Sequence, residues 1–295
     1  MQSGASSTFI IAPDGLRLHA RCYGQRSAPS KPVVCLPGLA RTAADFEELA
    51  FALSHDGPHP RRVIVLDYRG RGLSDYDRDP ANYSLPTELA DVLAVVTALD
   101  ASPAIFVGTS RGGILSMLLA AVRPTAIAGV VLNDIGPVIE AQGLMRIRGY
   151  VGKLPQPRNF EEGAEILRRL FHAHFPKLGP ADWLASAYRA FKEDKGRMVP
   201  TYDPKLATTL QGIDLEQPIP ALWKEFEALA HVPVMAIRGA NSDILSPATI
   251  DAMRARRRTL QTLEVPDQGH APLLVEADVI AHITDFVKRC DRAVH

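Results

Sequence analysis

The sequence predicts an α/β protein with a mostly parallel sheet, and three observations support this prediction. Short apolar stretches recur along the 295-residue chain and alternate with stretches of helical period. Such near-continuous apolar strands are typical of a parallel sheet that helices cover on both faces. The strand pattern stops over residues 137–220 and then resumes, which indicates an inserted helical segment. A glycine-rich turn at Ser110 joins one of the strands to a helix.

Composition excludes several classes of protein. Hydrophobic residues make up 46% of the chain, which is enough for an ordinary globular core. Lys+Arg and Asp+Glu both number 33, so net charge gives no reason to expect a nucleic-acid or membrane partner. The three widely spaced cysteines argue against a disulfide framework and a zinc site. With no leader pattern and no apolar stretch of membrane-spanning length, we expect a cytoplasmic protein.

The first half of the chain contains a hairpin followed by alternating strands and helices. Pro13-Asp14-Gly15 separates two strand-like stretches and is typical of a tight turn between antiparallel strands at one edge of the sheet. The strands predicted in this half are at 8–11, 16–20, 33–36, 63–66, 105–107 and 130–132. The predicted helices are at 46–53, at 86–99, and from the glycine-rich turn at Ser110 to residue 122.

The predicted chain divides into three parts: core residues 1–136, the insert of residues 137–220, and core residues 221–295. The insert contains helical patterns and no strand signal, and we expect it to lie over the carboxyl ends of the strands, where open α/β folds bind ligands. The elements predicted from residue 137 onward are helices at 139–151, 161–174, 181–194, 250–257 and 279–290, and strands at 233–237 and 260–265.

Ser110 is the candidate nucleophile. It is the serine of a Gly-x-Ser-x-Gly sequence, Gly108 to Gly112, that stands between a strand and a helix. Glycines two positions either side of the serine allow a very tight turn, which exposes the hydroxyl at a helix N-terminus. Backbone N–H groups and the helix dipole there favour a developing oxyanion.

A serine nucleophile needs a base and an orienting carboxylate. His270 is the predicted base because it follows an apolar strand directly, in a loop that Gly269 allows to bend. Asp243, which follows the strand at 233–237 by a short turn, is the preferred acid. Asp134, at the end of the strand after the nucleophile strand, is the alternative. The backbone N–H groups of Leu39 and Arg111 are the predicted oxyanion-hole donors.

These motifs resemble those of the α/β-hydrolase fold superfamily, in the subgroup with a helical cap, and the resemblance covers nearly the whole chain. It implies an eight-stranded, mostly parallel sheet with helices on both faces, and a cap formed by the insert. The resemblance also implies a serine hydrolase. Our hypothesis for its substrate is a small ester or lactone. The residues that carry it are Pro37-Gly38-Leu39, Asp67 to Ser74, Gly108 to Gly112, Asp243-Ile244-Leu245 and Gly269-His270.

Alternatives remain within this superfamily. A serine nucleophile disfavours the haloalkane dehalogenases and epoxide hydrolases, which use aspartate. The C–C hydrolases of ring-cleavage products usually carry Asn and Met beside the serine, where this chain has Thr109 and Arg111. A non-catalytic binding protein is a third possibility. We expect no cofactor, no metal, and either a monomer or a homodimer.

Several insert residues are candidates for setting specificity. A cationic residue there could bind a substrate carboxylate, although a solvated helix face explains such arginines more simply. The candidates are Arg146, Arg148, Tyr150, Arg158, Phe171 and Trp183.

Overall fold

An eight-stranded sheet forms the centre of the protein. The computed structural model describes residues 4–57, 59–212, 214, 217 and 219–292, so the predicted outer limits at residues 1 and 295 lie outside the described part. The strands are β1 (Ser6–Ile11), β2 (Arg17–Tyr23), β3 (Val33–Leu36), β4 (Val63–Asp67), β5 (Ala104–Thr109), β6 (Ile127–Asn133), β9 (Val234–Gly239) and β10 (Gln261–Val265). Two further strands, β7 (Phe191–Asp194) and β8 (Arg197–Pro200), lie outside this sheet.

The strand order is β1-β2-β4-β3-β5-β6-β9-β10. The first hairpin is antiparallel, and β2 pairs antiparallel with β4, whereas every later pairing is parallel. The predicted mostly parallel sheet with an antiparallel edge is therefore confirmed. Because β5, β6 and β9 are parallel neighbours, the residues that follow them lie close together at the carboxyl ends of these strands.

Helices cover both faces of the sheet. Alternate residues of a strand point to opposite faces, so Val34 enters one core while Val33 and Cys35 enter the other. The first core includes side chains of α2, α3 and α9, and the second includes side chains of α1 and α10. These helices are α1 (Glu47–Ser54), α2 (Leu85–Ala98), α3 (Arg111–Val122), α9 (Pro247–Arg256) and α10 (Ala277–Arg292).

The insert, which lies between β6 and β9 along the chain, forms its own small core. Its buried centre includes Leu167, Phe175, Trp183 and Phe191. The elements in and after the insert are α4 (Ala141–Tyr150), α5 (Phe160–Phe171), α6 (Pro180–Ala190), β7 (Phe191–Asp194), β8 (Arg197–Pro200), α7 (Thr208–Gln211) and α8 (Trp223–Glu227).

The prediction of a strand-free insert was wrong. The helix expected over residues 181–194 ends at Ala190, and β7 and β8 then form an antiparallel hairpin. Lys195 and Gly196 both have positive φ, at 51° and 73°, as a two-residue hairpin turn requires. The Lys-Gly turn is a weaker hairpin signal than Asn-Gly or Asp-Gly, so four-residue strands beside it were not recognised.

Within the described part of the chain, no helix combines the length and the apolar character that crossing a membrane requires.

Candidate active site

The backbone at Ser110 is strained in the way that the sequence motif requires. Ser110 lies between β5 and α3 with φ 51° and ψ −111°, outside the usual regions for a residue with a side chain. A Cβ at Gly112 would lie 2.0 Å from the carbonyl oxygen of Leu36, and one at Gly108 would lie 2.4 Å from the carbonyl carbon of Gly112. Only glycine fits either position, and the resulting turn points the serine hydroxyl away from the sheet.

His270 lies within hydrogen-bond distance of this hydroxyl. Its Nε2 is 2.8 Å from Ser110 Oγ. The histidine belongs to the loop after β10, and its side chain is buried with 6% of its surface exposed. Leu273 N–H donates to the Gln268 side chain across this loop at 2.9 Å, which helps to fix the loop's shape. The predicted serine and histidine are therefore brought together.

The carboxylate beside the histidine is that of Asp134. Its Oδ2 is 2.8 Å from His270 Nδ1. The Gly239 N–H donates to Oδ1 at 2.8 Å, and the Ser242 hydroxyl donates to Oδ2 at 2.6 Å. Asp134 is fully buried directly after β6. A carboxylate at Nδ1 favours the tautomer that carries its proton on Nδ1, in which the Nε2 lone pair faces Ser110.

The sequence analysis preferred Asp243 as the acid beside His270, but the structure does not bring Asp243 to this histidine. The carboxylate in that place is that of Asp134, the alternative candidate. Asp243 instead accepts two hydrogen bonds from Arg146 of α4, at 2.6 Å from Nε and 2.7 Å from Nη2. Burial raises the pKa of the Asp243 carboxyl, but the Arg146 guanidinium outweighs burial and holds the pKa below its ordinary value. Asp243 thus joins the insert to the core.

We expect Asp243→Asn to destabilise the protein without unfolding it. Losing a largely buried bidentate ion pair should lower the free energy of unfolding by about 1–3 kcal/mol near neutral pH. Because the folded-state pKa is depressed, this contribution is fully present above the ordinary value of 3.8 and is lost progressively as the pH falls through the lower folded-state pKa. Urea unfolding of both proteins at about pH 7 and about pH 3 should show a smaller difference at the lower pH. An equal difference at both values would contradict the assignment.

The two predicted oxyanion-hole residues both belong to segments that lie near Ser110. Arg111 is the first residue of α3, where backbone N–H groups have no partner within the helix. Leu39 follows Gly38, and a Cβ at Gly38 would lie 3.9 Å from the Ser110 Cβ. The loop after β3 therefore passes close to the serine, and Leu39 lines the same cavity as Ser110.

A cavity opens at Ser110 and His270. Its volume is about 140 Å³, and most of its lining is apolar. The insert contributes aromatic side chains to its lining. Three of the predicted specificity residues line the cavity, namely Tyr150, Phe171 and Trp183, together with Phe175 and Tyr202, which sequence reasoning did not single out.

The predicted arginines of the insert do not line this cavity. Arg146 is held by Asp243, and Arg158 is exposed and pairs with Glu162 at 3.0 Å. The cation at the cavity is Arg41, which pairs with Asp45 at 3.0 Å. Sequence reasoning missed Arg41, although its position two residues after Leu39 was a usable signal. No group of three His, Cys, Asp or Glu side chains in the described part of the chain could hold a metal ion.

The chain belongs to the α/β-hydrolase fold family. The family model described as alpha/beta hydrolase fold matches residues 31–277. A 3-hydroxybutyrate-oligomer hydrolase of Cupriavidus necator is 34% identical over 287 residues, which cover 94% of each chain. A crystal structure of an alpha/beta hydrolase from Novosphingobium aromaticivorans is 38% identical, with a TM-score of 0.87 over 98% of this chain and 100% of that one.

A third relative is more distant. A 2-(acetamidomethylene)succinate hydrolase of Mesorhizobium japonicum is 26% identical over 253 residues, which cover 85% of each chain. The protein is thus a hydrolase of the α/β fold by sequence and by structure.

Proposed function

We propose that the protein hydrolyses a carboxylic ester or lactone of a small molecule through Ser110, His270 and Asp134. The observation that carries this proposal is the unbroken hydrogen-bond chain between these side chains, with both contacts at 2.8 Å. Nucleophile, base and orienting acid are the three roles that acyl transfer from serine needs. The cavity above the serine supplies a place for the substrate.

Acylation begins when Ser110 Oγ attacks the substrate carbonyl carbon and its proton moves to His270 Nε2. The negative charge that develops on the carbonyl oxygen is stabilised by the N–H groups of Leu39 and Arg111. Asp134 stabilises the imidazolium through Nδ1. When the C–O bond to the leaving group breaks, that oxygen takes the proton from His270, and the acyl group stays on Ser110.

Deacylation repeats these steps with water. His270 takes a proton from the water as the water oxygen attacks the acyl carbon. The bond to Ser110 Oγ then breaks, and the proton on His270 returns to that oxygen. The carboxylic acid is released, and the three side chains regain their starting protonation states.

The cavity favours a small acyl group. An apolar cavity of about 150 Å³ accommodates a molecule the size of benzene, and the cavity at Ser110 has a similar volume of about 140 Å³. An acyl chain of a few carbons therefore fits beneath the aromatic side chains of the insert. The similarity to a 3-hydroxybutyrate-oligomer hydrolase supports esters of short hydroxy acids as the class to test first.

The experiment is a series of p-nitrophenyl esters with acyl chains of increasing length, together with linear dimers and trimers of 3-hydroxybutyrate. We expect kcat/KM for the butyrate ester to exceed that for the dodecanoate ester by at least about ten-fold. Methylene groups of the longer chain that do not fit in the cavity stay in water and add no hydrophobic binding energy. Nitrophenolate release measures hydrolysis of the p-nitrophenyl esters, and titration of the released acid measures hydrolysis of the 3-hydroxybutyrate oligomers. A folded protein that hydrolyses neither set would contradict the proposal.

A further inference from the structure

Behind the candidate oxyanion hole, a buried carboxylate joins two arginines. Glu88 of α2 and Arg71, which follows β4, are both fully buried. Glu88 Oε1 accepts from Arg71 Nη1 at 2.7 Å, and its Oε2 accepts from Arg111 Nε at 2.5 Å. One carboxylate thereby links two segments that are distant in the sequence.

Each arginine contacts one side of the oxyanion hole. Arg71 Nε donates to the backbone carbonyl of Leu39 at 2.8 Å, which fixes the loop that carries one predicted donor. Arg111 carries the other predicted donor on its own backbone, and its Nη2 donates to the carbonyl of Tyr83 at 3.2 Å. A continuous path therefore runs from the Leu39 carbonyl through Arg71, Glu88 and the Arg111 side chain to the first turn of α3.

The path is rigid. Arg71 also donates to the Arg69 carbonyl at 2.7 Å and lies beside the rings of Tyr68 and Tyr83, at 5.4 Å and 5.7 Å from their centroids. Burial raises the pKa of the Glu88 carboxyl, but the two guanidiniums outweigh burial and keep it below its ordinary value, so Glu88 is a carboxylate. Charge-assisted hydrogen bonds of this kind restrict movement more than neutral ones do.

We propose that Glu88 is a positioning residue for catalysis, which holds the Leu39 loop and the start of α3 at the separation that an oxyanion needs. This inference rests on the proposed ester hydrolysis. It also gives a physical reason for arginine directly after the nucleophile. The Arg111 side chain does not touch the substrate in this account, and it acts through the geometry of the two backbone donors.

The main test is Arg111→Met, which leaves Glu88 paired with Arg71 and so avoids an unpaired buried carboxylate. Removing a whole oxyanion donor costs about 10²–10³ in kcat, so a misplaced donor should cost about ten-fold. We expect kcat and kcat/KM for p-nitrophenyl butyrate to fall together, because the lost interaction forms only in the transition state. Affinity for a trifluoromethyl ketone, whose adduct with Ser110 places an oxyanion in the hole, should fall by the same factor.

Two further variants complete the experiment. Arg123→Met removes an exposed arginine at the other end of α3 that donates to Thr97, and it should keep wild-type kcat. Arg111→Lys retains a cation opposite Glu88 and should give an intermediate kcat. If Arg111→Met does not fold, kcat and inhibitor affinity of Arg111→Lys test the proposal in its place.

A folded Arg111→Met protein with wild-type kcat and inhibitor affinity would overturn the inference. So would a fall in kcat without a matching loss of inhibitor affinity, because the variant would then impair a different step. Failure of the proposed function is distinguishable from these results. In that case the wild type itself would release no nitrophenolate and would not bind the ketone covalently.

Discussion

Replacing Asp134 with asparagine should lower kcat for p-nitrophenyl butyrate by about 10⁴-fold. The asparagine amide is the same size as the carboxylate but can donate a hydrogen bond to His270 Nδ1. The histidine would then carry its proton on Nε2, facing Ser110, and could no longer accept the serine proton. Stopped-flow and steady-state release of nitrophenolate measure the loss.

The matched control for this prediction is Asp243→Asn. Asp243 also follows a buried strand, but its carboxylate pairs with Arg146 of the insert. We expect its kcat to stay within about three-fold of the wild type, as is usual for changes that leave the reacting groups in place. The reverse pattern, with Asp243→Asn inactive and Asp134→Asn active, would show that Asp243 orients the histidine.

Ser110→Ala should lower kcat by about 10⁵–10⁶-fold, because no other group in the proposed mechanism can form the acyl intermediate. The Ser110 side chain is small, and its loss should leave the fold intact. Circular dichroism and urea unfolding check that point beside the kinetic assay. Hydrolysis of several esters should be lost together, since the nucleophile is common to all of them.

A serine within α3 provides the control for Ser110→Ala. Ser116 is buried in α3 and donates to the carbonyl of Gly112 at 2.8 Å, without contacting His270. Ser116→Ala should keep kcat within about two-fold of the wild type. Substantial turnover by Ser110→Ala would contradict the mechanism, whatever the control shows.

Much of the fold could be predicted because each strand has a local signature. The apolar stretches at β3, β4 and β6 are buried on both faces, and no polar alternation obscures them. The hairpin of β7 and β8 was missed because its strands are only four residues long, β7 is charged after Phe191, and β8 ends at Pro200. Their pairing depends on the backbone at Lys195 and Gly196 more than on a hydrophobic pattern.

The candidate acid could not be chosen from the sequence because two aspartates satisfy the same rule. β6 and β9 are parallel neighbours, so Asp134 and Asp243 both emerge at the edge of the sheet where His270 arrives. What separates them is their partners, because Arg146 of α4 pairs with Asp243 whereas His270 contacts Asp134. The sequence carries no local signal for that contact, whose partners are far apart along the chain.

The link between Glu88, Arg71 and Arg111 was hidden for a related reason. Glu88 lies in the first turn of α2, where an acidic residue is common for its interaction with the helix dipole. Its complete burial and its two arginine partners become visible only when α2, α3 and the segment after β4 are packed together. Long-range polar contacts of this kind are set by tertiary packing, which sequence periodicity does not reveal.

The most direct test of the account is covalent capture of the nucleophile. Wild-type protein treated with a fluorophosphonate should gain the mass of one phosphonyl group, and peptide mass spectrometry should place it on Ser110. Asp134→Asn should label far more slowly, and Asp243→Asn should label at nearly the wild-type rate. Labelling at another residue, or none in a folded protein, would contradict the claim that Ser110 is an activated nucleophile.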